Sequence, residues 1–161
     1  VCAYMPNCSE TVISMLAASA LGAIFSSCSC DFGIEGVIDR FEQIEPKIMI
    51  ATDGYLYNGK VIDRSEEIKT ISKRLPSLEH IIVVEYISSN KEIDNFTNFK
   101  AVFQSDRLED YVLCKFNDPL YIVFSLYFNG LALRKNCMDG NQYIFIIYNS
   151  NNDMQKIFYL F

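Results

Sequence analysis

Short, continuous apolar runs alternate along this chain with segments whose apolar residues recur every three or four positions. The runs at residues 1–4, 23–25, 47–51, 81–85 and 119–125 read as buried strands of a sheet covered on both faces. Pro6-Asn7 breaks the first run, and Ser9 stands as the N-cap of a helix with Val12, Met15, Leu16, Ser19 and Ala20 on one face. Residues 33–43 form the next helix, with Val37, Ile38 and Phe41 inward and Pro46 ending it. Asp53-Gly54 and Asn58-Gly59 are turn signals. Residues 62–75 read as a charged helix with Ile68, Ile71 and Leu75 inward, and Pro76 after it. Residues 88–98 are a polar loop, 101–103 a short strand and 106–113 a short helix. Strand and helix alternate, which predicts an α/β fold with a parallel sheet. Such sheets bind ligands at the carboxyl ends of their strands, where this reading places Ser125, Asp53 and Ser26-Ser27.

Half of the 161 residues are apolar, so the composition is that of a folded chain rather than a disordered one. The formal net charge is −6, and Lys and Arg never cluster beyond a pair, which argues against nucleic acid or an anionic membrane as partner. The longest apolar stretch, residues 12–25, is interrupted by Ser14, Ser19 and Gly22 and falls short of the roughly 20 residues that span a bilayer. Six cysteines and one histidine, His80, offer no zinc spacing, and the cysteines read as reduced thiols of a cytosolic protein. No nucleophile has a histidine beside it, so no catalytic residue and no metal ligand is assigned. Glu66-Glu67 and Glu109-Asp110 read as solvated helix faces. The chain has neither a P-loop nor a Gly-x-Gly-x-x-Gly run.

Several stretches are specific: Ala3-Tyr-Met-Pro-Asn-Cys8, Leu21-Gly-Ala-Ile-Phe-Ser-Ser-Cys28, Asp31-Phe-Gly33, Asp39-Arg-Phe41, Gln43-Ile-Glu-Pro-Lys47 and residues 53–60. Together with Phe116-Asn-Asp-Pro-Leu-Tyr-Ile-Val-Phe-Ser125 they resemble the acetoacetyl-CoA synthetase family, adenylate-forming (AMP-binding) enzymes related to acetyl-CoA synthetase. The resemblance covers residues 1–125 and implies a partial, doubly wound parallel sheet from the N-terminal domain of such an enzyme. It implies a ligase that joins acetoacetate to ATP, releases pyrophosphate and passes the acyl group from AMP to CoA, with Mg2+ required. The small-molecule partners it implies are acetoacetate, ATP and CoA, none held tightly by this segment, and the compartment is the cytosol. In the family a Ser-Ser-Gly-Thr-Thr-Gly loop after the strand at 122–125 wraps the phosphates. Here Ser125 and Gly130 match it, whereas Leu126, Tyr127, Phe128 and Asn129 do not, and Lys135 lies two residues beyond the expected lysine. Ser125 and Gly130 thus read either as a remnant phosphate loop or as a strand end and a turn glycine. By the same resemblance Ser29, Cys30 and Asp31 are candidate CoA contacts, as are Tyr57 and Lys60. The alternative for Lys60 is a solvated lysine in a turn.

Residues 126–161 differ in character: they contain no proline and are dense in Asn, Ile, Tyr and Phe. Two apolar strands are expected there, at 142–148 and 157–161, with a turn at 149–153. The chain therefore reads as two regions, 1–125 a partial ligase domain and 126–161 a divergent tail from a frameshift or read-through. Val1 opens inside a strand pattern, the mark of a fragment. Two functions follow: a fragment of the ligase, or a catalytically dead truncated isoform or pseudogene product that at most binds CoA or a partner.

Overall fold

The computed structural model describes residues 1–87, 96–102, 108–115 and 117–124, and the backbone of three later strands. In chain order the elements are β1 (Cys2–Tyr4), α1 (Ser9–Ala20), β2 (Phe25–Cys28), α2 (Ile34–Phe41), β3 (Ile48–Thr52), β4 (Gly54–Tyr57), β5 (Lys60–Asp63) and α3 (Ser65–Arg74). They continue with β6 (His80–Val84), β7 (Thr97–Asn98), α4 (Phe99–Val102), β8 (Tyr121–Ile122), β9 (Ala132–Met138), β10 (Gln142–Tyr148) and β11 (Met154–Leu160). The chain divides into two compact units, residues 1–14 with 27–109, and residues 15–26 with 110–161.

The first unit is built on parallel pairs, β1 with β3, β3 with β6, and β6 with β7. Cys2 lies opposite Met49 and Tyr4 opposite Ala51, so these four side chains share one face of the sheet. That face joins Val37, Ile38 and Phe41 of α2 and Ile68 and Ile71 of α3, with Leu75 just beyond it, in a single core. Ala3 and Ile50 point the other way and are buried too, which is why both strands are apolar without alternation. Charged residues on α2 and α3 other than the half-buried Glu67 keep to the outer face, where Arg74 bonds Glu35. Beside this sheet, β4 and β5 form an antiparallel hairpin. Its two-residue turn is Asn58-Gly59, with φ of 49° and 73°, the left-handed pair that a type I′ turn requires.

In the second unit the last turns of α1 close on Gly22, at φ 67°. Gly22 N–H donates to Ser19 O (3.0 Å) and Ala23 N–H to Ala18 O (2.8 Å), the paired bonds of a Schellman cap. Phe25 and Ser26 then pair in parallel with Tyr121 and Ile122 of β8. The strands β8, β9, β10 and β11 follow one another antiparallel.

Several expectations are corrected. The strand placed at 23–25 forms at Phe25–Cys28, because the glycine cap occupies Gly22 and Ala23. Ser26-Ser27 therefore lies within a strand, not at its end. Ser9 is the first helical residue rather than the cap, and its hydroxyl bonds Glu10. On α1 the buried positions are Ser14 and Ala18, whereas Val12 and Leu16 are 48% and 58% exposed. This helix carries apolar residues on more than one side, so spacing alone did not select the inward face. The helix expected from 62 begins at Ser65, since 54–63 is the hairpin. Residues 99–102 are helical instead of extended because Asn98 Oδ1 caps the Lys100 N–H at 2.8 Å. Residues 108–113 form no helix and leave Tyr111 and Leu113 exposed. Among the described residues of the strand placed at 119–125, only Tyr121–Ile122 pairs as a strand, and it is half-buried. Strand β9 was not foreseen, while β10 coincides with the expected 142–148.

Candidate functional site

Strand β2 ends in the turn that carries Ser29, Cys30 and Asp31. Phe32 N–H returns to Ser29 O at 3.2 Å, and Ser29 Oγ donates to the Asp31 carboxylate at 3.0 Å. Ser29 and Asp31 are exposed, and Cys30 is fully buried. Burial pushes the Cys30 thiol up to about 12 against the pull of the Arg64 charge, so it stays protonated. Only Ser29 and Asp31 thus offer side chains to a ligand. Tyr4 underlies the turn: its buried hydroxyl reaches Phe32 O at 2.9 Å and Cys30 O at 3.2 Å.

Tyr57 and Lys60 flank the hairpin turn as direct cross-strand partners, so their exposed side chains share a face. The structure brings these two candidates together. It sets Ser29, Cys30 and Asp31 on a different element.

Arg64, which sequence reasoning passed over, anchors the root of that hairpin. Its N–H donates to Asp53 O at 2.7 Å. Its guanidinium bonds Glu67 Oε1 at 2.7 Å and Tyr55 Oη at 3.3 Å, and lies over the Tyr55 ring. Burial opposes the Arg64 charge, but the bonds to Tyr55 and Glu67 outweigh it and hold the group protonated. Glu67 is therefore a partner of Arg64 rather than part of a solvated face. The only sequence signal was an Arg with a Glu three residues on at the start of a helix, a pattern shared by many surface pairs. Asp53 does sit at the carboxyl end of β3, where its buried carboxylate accepts the N–H groups of Tyr86 and Ile87 at 2.8 and 3.0 Å. It is a structural tie.

Ser125 and Gly130 lie outside the described residues. The residues that the family resemblance sets at a phosphate loop, Leu126, Tyr127 and Phe128, are bulky, and as a sequence they do not fit a cradle for phosphates and a magnesium ion. Among the described residues no three His, Cys, Asp or Glu side chains gather as a metal site, and no helix is long and apolar enough to cross a membrane. Cys2, Cys8, Cys28, Cys30 and Cys114 are free thiols. A cavity in the second unit, beside Gly22, Cys114 and Pro119, measures about 160 Å3, below the range of small-molecule sites.

No family model matches the chain. The acetoacetyl-CoA synthetase of Xenopus tropicalis is 39% identical over 150 residues, spanning 86% of this chain and 22% of the relative. The acetoacetyl-coenzyme A synthetase of Rhizobium meliloti (strain 1021) is 41% identical over 132 residues, 78% of this chain and 20% of the relative. Among solved structures, acetoacetyl-CoA synthetase from Streptomyces lividans overlays 92% of this chain and 21% of its own, with a TM-score of 0.74 and 29% identity. The chain resembles a segment of acetoacetyl-CoA synthetase. It spans about a fifth of the length of these relatives. The likeness to acetoacetyl-CoA synthetase holds in sequence and in fold, and the parallel α/β sheet expected from the strand–helix alternation is the one that overlays.

Proposed function

We propose that this chain is part of an ATP-dependent acetoacetate–CoA ligase of the cytosol. The observation that supports this reading is the joint likeness, in sequence and fold, to acetoacetyl-CoA synthetases. In such a reaction the acetoacetate carboxylate displaces pyrophosphate from ATP, and the acyl-AMP so formed gives the CoA thiol a good leaving group. Ser29 and Asp31, and the Tyr57–Lys60 pair, are the side chains assigned to CoA. Lys60 supplies the cation for a phosphate, and Tyr57 supplies a flat ring beside it.

This chain by itself is expected to be inactive, since the bulky residues at 126–129 deny phosphates their close approach to backbone. The second reading, a truncated isoform or pseudogene product that at most holds CoA, rests on the same residues and on the divergent tail. An assay of acetoacetate-dependent pyrophosphate release with ATP, Mg2+ and CoA tests the inactivity of this chain. No release above the enzyme-free blank is expected, and turnover would reject the inactive reading. Titration calorimetry with CoA tests the contacts directly. Lys60→Ala should weaken binding two- to fivefold, since an exposed ion pair contributes about 0.5–1 kcal/mol. Equal binding by parent and variant would remove Lys60 from the site.

A further inference from the structure

Among the described residues Asp or Asn precedes glycine twice, at Asp53-Gly54 and Asn58-Gly59, and the fold treats the two oppositely. Asp53 is buried, and the N–H groups of Tyr86 and Ile87 hold its carboxylate at 2.8 and 3.0 Å. Gly54 beside it is hemmed in by Ile62 O and the Ile87 side chain. Asn58 and Gly59 are both exposed, at the tip of the β4–β5 hairpin. Among the described residues no hydrogen bond holds the Asn58 side chain. The space around Gly59 is open, and glycine leaves its own nitrogen unshielded by a Cβ. Strands of four residues tie this tip down by few bonds, so it opens locally at small cost.

We propose that Asn58 is a site of spontaneous deamidation, with water as the only co-reactant, and that the product sets a new carboxylate two residues from Lys60. The Gly59 backbone nitrogen attacks Asn58 Cγ, and the bond from Cγ to the side-chain nitrogen breaks. The Gly59 N–H proton leaves with that NH2 group as ammonia. Water then opens the cyclic imide at one carbonyl or the other, giving aspartate or its isomer linked through the side-chain carboxyl. Nothing is oxidised or reduced. At neutral pH each product carries one more negative charge than the amide, near the cation assigned to a CoA phosphate. That consequence rests on the CoA reading above, whereas the chemistry does not.

The test incubates the full chain in mildly alkaline buffer, native and in urea, and follows its tryptic peptides by mass spectrometry over time. The peptide 48–60 carries both dipeptides, and the second Asn-Gly, Asn129-Gly130, falls in the separate peptide 116–134. The expected result in the native chain is replacement of NH2 by OH at Asn58, in two products of equal mass, more slowly than in urea. Asp53 should isomerise only in urea. If Asn58 stays intact in the native chain while it reacts in urea, the fold protects it and the proposal is overturned. Loss at the exposed Asn7, which precedes Cys8, as fast as at Asn58 would overturn it too. Titration with CoA reads the consequence. Asn58→Asp and the aged parent should bind CoA about two- to fivefold more weakly than the fresh parent, the weight of one exposed charge pair. Asn58→Gly leaves a Gly-Gly pair that suits the turn and has no amide to lose, so its aged and fresh forms should bind alike. Deamidation with unchanged affinity, in a parent that binds CoA, would refute the action on Lys60. If the parent binds no CoA, the mass change still decides the modification, and the CoA reading falls.

Discussion

A methyl group added at Gly54 should destabilise the chain while the same methyl at Gly36 stabilises it. Gly54 opens β4 at the root of the hairpin, and its φ is not left-handed, so space alone decides the outcome. A Cβ built there falls 2.3 Å from Ile62 O and 2.5 Å from Ile87 Cδ1. The isoleucine tip can turn away, but the carbonyl belongs to the facing strand and cannot move without parting β4 from β5. Overpacking by one methyl costs about 1–3 kcal/mol, and an obstructing backbone atom places this case at the upper end. The smaller freedom of an unfolded Ala returns roughly 0.4–1 kcal/mol, leaving a loss of about 2 kcal/mol. Gly36 lies inside α2, where an added Cβ meets Phe32 Cδ1 at 3.4 Å and Arg40 Nη1 at 3.5 Å, ordinary contact distances. There Ala should gain about 0.5–1 kcal/mol. Urea unfolding followed by circular dichroism reads both variants as shifts of midpoint in opposite directions, at unchanged slope. Equal stability of Gly54→Ala and the parent would refute the packing argument, as would a parallel loss in both variants.

Asp53→Asn should cost about 1–2 kcal/mol, the gap between charged and neutral acceptors for the Tyr86 and Ile87 N–H groups, and should quicken exchange at those two amides. Unchanged exchange at both amides would refute the tie. The thiols should divide by burial and by pH. Ellman's reagent should titrate the exposed Cys114 in the native chain but reach Cys2, Cys28 and Cys30 only in denaturant. Burial raises Cys28 from 9.0 to about 11 and Cys30 to about 12, so their protonated forms stabilise the fold fully below pH 9. That contribution is lost as the pH rises through 9 to 12, and the urea midpoint should fall over that window; a flat profile would contradict it.

The first unit was legible where one physical rule acted alone. On α2 and α3 the charges occupy one side and the aliphatic residues the other, so Val37, Ile38, Phe41, Ile68 and Ile71 could be placed inward from spacing. The strands β1, β3 and β6 were legible because burial on both faces leaves an unbroken apolar run. The hairpin was missed although its turn was seen, since strands of four residues offer too few alternations to show a period. At 99–102 a single capping bond from Asn98 overrode a short apolar run. Of the candidate site, the turn positions could be named from their resemblance to a family. Arg64 could not, because its partners Tyr55 and Glu67 converge on it only once the hairpin has folded against the helix that follows.

The left-handed Asn58-Gly59 turn also works as a ruler. A type I′ turn admits two residues and no more, which fixes Tyr57 against Lys60 rather than against a neighbour one step along. Along a strand, one step moves a side chain to the opposite face. The spacing between the ring and the ammonium is thus set by the handedness of two backbone residues whose own side chains take no part. A change in loop length would abolish that pairing even with every named side chain retained. An added Cβ at Gly59 would meet nothing within 4 Å, so the restriction at the tip is one of chirality, not of room.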